Sequence, residues 1–163
     1  MPISPYIASV RASLGSTRLL LPSVTGIIFD ANGSILLLRH RDGDVWSTPG
    51  GAIEPDETPA DAVVREVQEE TGLIVRPDRI LGVFGGPSFV VRYSNGDETQ
   101  YVMTVFDCAV LGGTLRPVTD EIVELRFIAK NELGDLELSP WVGEVLPLLY
   151  DRPSQALFRP AQS

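Results

Sequence analysis

The most informative stretch of the chain is Gly51-Ala52-Ile53-Glu54-Pro55-Asp56-Glu57-Thr58-Pro59-Ala60-Asp61-Ala62-Val63-Val64-Arg65-Glu66-Val67-Gln68-Glu69-Glu70-Thr71-Gly72-Leu73. Within it, Thr58–Thr71 reads as a helix. Thr58 suits the N-cap, Pro59 the first helical position, Asp61 the third, and Gly72 the stop. Ala60, Val63, Val64 and Val67 recur at helical spacing and form one apolar stripe. At about 100° of rotation per residue, Glu69 and Glu70 stand at about −60° and +40° from Glu66. The apolar stripe occupies about +60° to +160°, so the three carboxylates flank the buried face.

This helix is built against its own electrostatics. Glu66/Glu69 and Glu66/Glu70 are like-charge pairs at i, i+3 and i, i+4, each costing roughly 0.2–0.5 kcal/mol. They lie near the helix C-terminus, where the macrodipole disfavours anions, and Arg65 is the only local relief. A bound cation would resolve the conflict. Oxygen ligands without His or Cys nearby suit a hard ion, Mg²⁺ or Mn²⁺.

The 163 residues carry a net charge of −9, and 44% are hydrophobic. One globular domain is the expectation, and disorder and collagen-like structure are excluded. Residues 51–73 alone carry seven acidic residues against Arg65, so two-thirds of the excess charge sits in this one segment. Acidity of the bare chain argues against binding a nucleic-acid backbone; it does not argue against a nucleotide bridged by metal. Cys108 is the sole cysteine and lies in an apolar run, which points to an inert buried thiol. No signal peptide and no membrane-spanning stretch can be read, so a cytoplasmic protein is expected.

Residues 51–73 match the pattern G-x5-E-x7-R-E-U-x-E-E-x-G-U, with U aliphatic, at every fixed position. In this the chain resembles the Nudix hydrolases. The preceding apolar hairpin and the Trp46-x-x-Pro49-Gly50-Gly51 lead-in extend the resemblance over Leu19–Tyr150. It implies an α/β (α+β) fold, the α/β/α sandwich with a mixed sheet. It further implies that Glu66, Glu69 and Glu70 ligate a divalent metal together with the Gly51 carbonyl. Glu57 would support Arg65, which orients the glutamates. The implied reaction is hydrolysis of a pyrophosphate bond in a nucleoside diphosphate linked to X, with sugar-linked substrates such as ADP-ribose favoured. The general base would be a box glutamate, or Glu121 in the Thr119-Asp120-Glu121 segment. Modified or free nucleoside triphosphates are the alternative substrates. A nucleotide-sensing module without activity is the alternative class, although such a module usually loses box carboxylates and here all are present.

The remaining candidates are read from position. Arg39 ends the run Ile35–Leu38 and either reaches a phosphate or is an exposed strand-end cation. Trp46 stacks on a base or packs beneath its loop. Phe84, with Gly85, Gly86 and Pro87, belongs to a loop where specificity resides in this family. His40 reads as a surface residue. Three regions are expected: residues 1–18, an amphipathic helix (Ser4–Leu14) and lead-in; residues 19–150, the hydrolase domain; and residues 151–163, a loosely held tail. The first helix is available for a homodimer contact or for packing on its own domain. Val24–Asp30 and Ile35–Arg39 are expected to form a hairpin through Asn32-Gly33, and Arg41–Asp44 and Ser94–Asp97 to form turns. Strands are also read at Ile80–Phe84, Phe89–Tyr93, Thr99–Leu111 and Val123–Ile128. A second helix, Trp141–Tyr150, should kink or end early at Pro147.

Overall fold

The computed structural model describes residues 4–41, 44–93 and 95–161. In chain order the helices are α1 (Pro5–Leu14), α2 (Pro59–Thr71) and α3 (Pro140–Leu149). The strands are β1 (Leu19–Ile27), β2 (Ile35–His40), β3 (Trp46–Ser47), β4 (Gly50–Ala52), β5 (Leu73–Phe84), β6 (Val90–Arg92), β7 (Glu98–Gly113) and β8 (Ile122–Ile128). One sheet has the order β4-β1-β7-β5, with β6 also on β7, and the other the order β3-β2-β8. The β1–β7 pairing is parallel and the rest are antiparallel, so the first sheet is mixed. Ala62, Val63 and Val67 of α2 pack with Val24, Val75, Phe106 and Cys108 on one side. Trp141, Val142, Val145, Leu146 and Leu149 of α3 pack with Ile27, Leu81, Met103 and Val105 on the other. This is the expected α/β/α sandwich.

The hairpin is only partly as the sequence suggests. Asn32-Gly33 does turn the chain: Asp30 Oδ1 accepts from the Asn32 and Ser34 amides at 2.8 Å each, and Gly33 has φ 81°. Beyond a single Phe29–Ile35 bridge, however, β1 and β2 part into different sheets. Both runs are apolar on both faces (Ile27, Ile28 and Ile35–Leu38 are fully buried), so each needs cover on two sides. A two-stranded hairpin cannot supply that. The turn expected at Arg41–Asp44 includes Asp42 and Gly43, and that at Ser94–Asp97 includes Ser94; all three lie outside the described residues.

Two element boundaries and the tail also differ from expectation. β5 begins directly after α2 and runs through Pro77, where the pairing with β7 shifts register between Pro77 and Arg79. A bulge tolerates the missing N–H, which is why Pro77 hid the first half of this strand. α3 continues past Pro147 to Leu149 rather than ending at it. The tail is not loose. Leu157 donates to Leu81 O (2.8 Å), accepts from Val83 N (2.9 Å), and packs into the α3-side core. Arg79 Nη1 also donates to Pro153 O at 2.6 Å, so residues 153–157 cover the outer edge of β5. No helix among the described residues is long and apolar enough to cross a membrane.

Candidate active site

α2 starts and stops where its sequence requires. Thr58 Oγ1 accepts from the Asp61 amide at 3.2 Å, and Gly72 takes φ 72° with its N–H on Gln68 O. The same face that buries Val63 and Val67 carries Glu66 and Glu70 down with it: they are 2% and 4% exposed. Glu69, on the far side of Glu66, keeps 47% of its side chain in solvent.

Arg65 ties the group together. Its Nε and Nη2 hold Glu57 bidentately at 2.8 and 2.9 Å, and Nη2 also donates to Ala52 O at 3.2 Å. Its Nη1 reaches Glu66 Oε1 at 2.8 Å and Glu69 Oε2 at 3.3 Å. The Arg65 hydrogen bonds hold the Glu57 carboxyl below the usual range. For Glu66 burial outweighs Arg65 and pushes the carboxyl up. Burial, with Glu66 and Glu69 adding repulsion, pushes Glu70 up to about 8 despite the hydrogen bond from Gly50 N–H. That bond is 2.8 Å long, to Glu70 Oε2.

The glycine loop makes room for these carboxylates. A Cβ on Gly51 would stand 2.4 Å from Glu66 Oε1 and 2.8 Å from Oε2. The loop is anchored from behind: Thr25 Oγ1 donates to Pro49 O (2.8 Å) and shares a hydrogen with Thr48 Oγ1 (2.6 Å), while Gly26 N also donates to Pro49 O. Among the described residues, Glu66 Oε2 is buried with no hydrogen-bond partner. An anionic oxygen in that position, beside a second buried carboxylate and with oxygen donors only, fits a hard divalent cation. The glutamate side chains do not converge on one point, and among the described residues no three acidic, His or Cys side chains do. Glu69 leans to Arg65, and Glu70 to the Gly50 amide.

The opposite wall comes from residues 114–121. Thr114 N donates to Gly72 O (3.2 Å) and Arg116 N to Thr71 O (3.0 Å), closing carbonyls that the end of α2 leaves open. From the other side Arg41 donates its amide to Glu121 O and its Nε to Asp120 O, both at 2.8 Å. The segment so clamped brings Val118, Thr119 and Glu121 across from α2. The resulting cleft, ≈ 470 Å³, is lined by Ser4, Glu54, Arg65, Glu69, Glu70, Val118, Thr119 and Glu121. A second cavity of ≈ 570 Å³ shares Arg65, Glu69 and Val118 and extends along the outer face of α2 to Glu57, Asp61, Val64 and Gln68.

Arg39, Trp46 and Phe84 do not line either cavity. Arg39 is engaged by Asp44 and by Glu124 at 3.1 Å, with its guanidinium 5.9 Å from the Trp46 ring. Trp46 is buried beneath Arg39 and Arg126. Phe84 is in the core, stacked on Phe89 at 6.4 Å. Arg39 and Trp46 pair across β2 and β3 and Phe84 packs on Phe89, contacts that position in the chain does not disclose. Sequence reasoning missed Glu54, Thr119, Arg41 and Ser4. Glu54 and Thr119 stood beside residues already singled out; Arg41 and Ser4 gave no local signal.

The fold is an α/β/α sandwich whose acidic helix α2 sets Glu66 and Glu70 against the glycine loop at Gly50 and Gly51. The NUDIX domain model matches residues 19–149, and the chain belongs to that family. It is 36% identical over 118 residues to an ADP-ribose pyrophosphatase of Methanocaldococcus jannaschii, covering 70% of this chain and 64% of that one. It is also 36% identical over 107 residues to a putative 8-oxo-dGTP diphosphatase of Bacillus subtilis (66% and 65% covered). A crystal structure of a UDP-X diphosphatase superposes with TM-score 0.70 at 25% identity, covering 94% of this chain and 73% of that one. The chain thus spans just under two thirds of the length of these curated relatives.

Proposed function

We propose that the protein is a metal-dependent pyrophosphohydrolase that cleaves nucleoside diphosphates linked to a second group, sugar-linked nucleotides foremost. The observation that carries this reading is the unpartnered, buried Glu66 Oε2 against Gly51, on the same helix whose Glu69 and Glu70 line the cleft with Glu121. Glu66, Glu69, Glu70 and the Gly51 carbonyl would hold Mg²⁺ or Mn²⁺. When bound, the cation neutralises diphosphate oxygens and acidifies a water. Arg65, locked by Glu57, keeps the glutamates in place, as partners of ligands do in other metal sites. Glu121 takes the proton as water attacks one phosphorus and the bond to the bridging oxygen breaks. The names of the ADP-ribose and UDP-X relatives support a sugar-linked substrate. The 8-oxo-dGTP relative supports triphosphates as the second reading. The full set of box carboxylates weighs against a sensor without activity. The single buried Cys108 is in keeping with a cytoplasmic setting.

Assaying ADP-ribose, UDP-sugars and nucleoside triphosphates with Mg²⁺ and Mn²⁺ tests the reading. Turnover of a sugar-linked nucleotide at least tenfold above any triphosphate is the expected result, and nucleotide binding without turnover would establish the sensor instead. Glu121→Gln should lower kcat by about a hundredfold with KM little changed, the usual scale for a lost general base. Arg41→Ala removes the side-chain half of the clamp on that loop. A drop in kcat of about three- to tenfold is expected, in line with one lost hydrogen bond; an unchanged kcat would place the clamp outside catalysis.

A further inference from the structure

Helix α1 lies outside the matched residues 19–149, yet its N-cap, Ser4, lines the cleft. Ser4 caps its first turn, accepting from Ile7 N at 3.2 Å, and lines the same cavity as Glu54, Glu69, Glu70, Thr119 and Glu121. None of the ten residues of α1 is fully buried, and Ile7 and Val10 are only half-buried, so its apolar hold on the domain is partial. Its polar tether sits near its C-terminal end. Arg11 donates to Thr17 O (2.7 Å), Glu98 O (3.0 Å) and Thr99 Oγ1 (3.2 Å), and pairs with Asp97 at 3.4 Å. Directly after the helix comes Gly15, at φ 59° and with open space where its Cβ would be. Between Arg11 and Ser4 the helix spans about 10 Å.

We propose that α1 is a hinged wall of the catalytic cleft, pivoting near Arg11 and Gly15 and closing on the diphosphate-bearing substrate. A helix with no fully buried residue opens at modest cost, as segments that gate binding sites do. The tether fixes the pivot, and the free end reaches the residues that face the substrate. α1 is therefore a positioning element: it acts on how tightly substrate is held and leaves the reacting groups untouched. The proposal rests on the hydrolase reading above.

Amide hydrogen exchange on the full chain tests it, with and without Mn²⁺ plus the non-hydrolysable α,β-methylene analogue of ADP-ribose. Expected is fast exchange in residues 6–14 of the free protein, slowed at least fivefold by the ligand, together with slowing in residues 118–122. Slowing in 118–122 with α1 unchanged would overturn the hinged wall while leaving the hydrolase reading intact. No slowing anywhere would overturn both. Slowing of α1 that follows protein concentration without ligand would make it a contact between copies and also overturn the proposal. Arg11→Ala should raise KM about tenfold with kcat within twofold and an unchanged circular dichroism spectrum; an unchanged KM, or a loss confined to kcat, counts against it.

Discussion

Glu70→Gln should make the cation-free protein more stable and the enzyme nearly inactive. Glu70 is 4% exposed, lies beside Glu66 and near Glu69, and accepts a hydrogen bond from the Gly50 amide. Glutamine can keep that bond through its carbonyl oxygen while removing a charge that is costly to bury. In chelator the variant is expected to gain about 1–3 kcal/mol, several degrees of melting temperature. The gain in melting temperature that Mn²⁺ gives the native protein should shrink in the variant, and turnover should fall by about 10²–10³-fold. Thermal melts in chelator and in Mn²⁺, run beside the hydrolysis assay, measure all three. A variant that melts lower and turns over normally would make Glu70 a structural group instead.

That opposition between stability and function was already visible in the sequence. Three glutamates at i, i+3 and i+4 near a helix C-terminus have no structural rationale, and their angular position set all three beside the face of Val63 and Val67. Glu66 and Glu70 went under; Glu69, on the far side, stayed half in solvent. Helix α2 was legible to the residue because both its ends are marked by residues with a specific capping role. What escaped was whatever depends on two distant segments meeting. The β1–β7 pairing joins residues about eighty apart, and nothing in either strand names its partner. Arg41 became part of the site through two main-chain carbonyls of residues 120–121, a contact without sequence preference. The substrate candidates Arg39, Trp46 and Phe84 were read from their place in the chain, and in the fold they line neither cavity.

Adding one methyl group to either of the adjacent glycines Gly50 and Gly51 should give opposite failures. At Gly50 a Cβ would stand 2.2 Å from Val24 O and 2.7 Å from Thr25 Cα, both backbone atoms of a central strand. Neither can move without disturbing the β1–β4 and β1–β7 pairings, so Gly50→Ala is expected to cost about 3 kcal/mol or more and to lose activity with its fold. At Gly51 the obstructing atoms are the Glu66 carboxylate, 2.4–2.8 Å away, at the end of a side chain with rotamers to spare. Gly51→Ala should therefore melt within a few degrees of the native protein. Its Glu66 would be pushed off Arg65 Nη1 and away from the loop, and turnover should drop by about tenfold or more, partly recovered at high Mn²⁺. Melting curves and a cation titration of activity separate the two cases. Equal losses of stability in both variants would mean that Glu66 is as immovable as the strand, and the loop–carboxylate contact would then belong to the fold rather than to the chemistry.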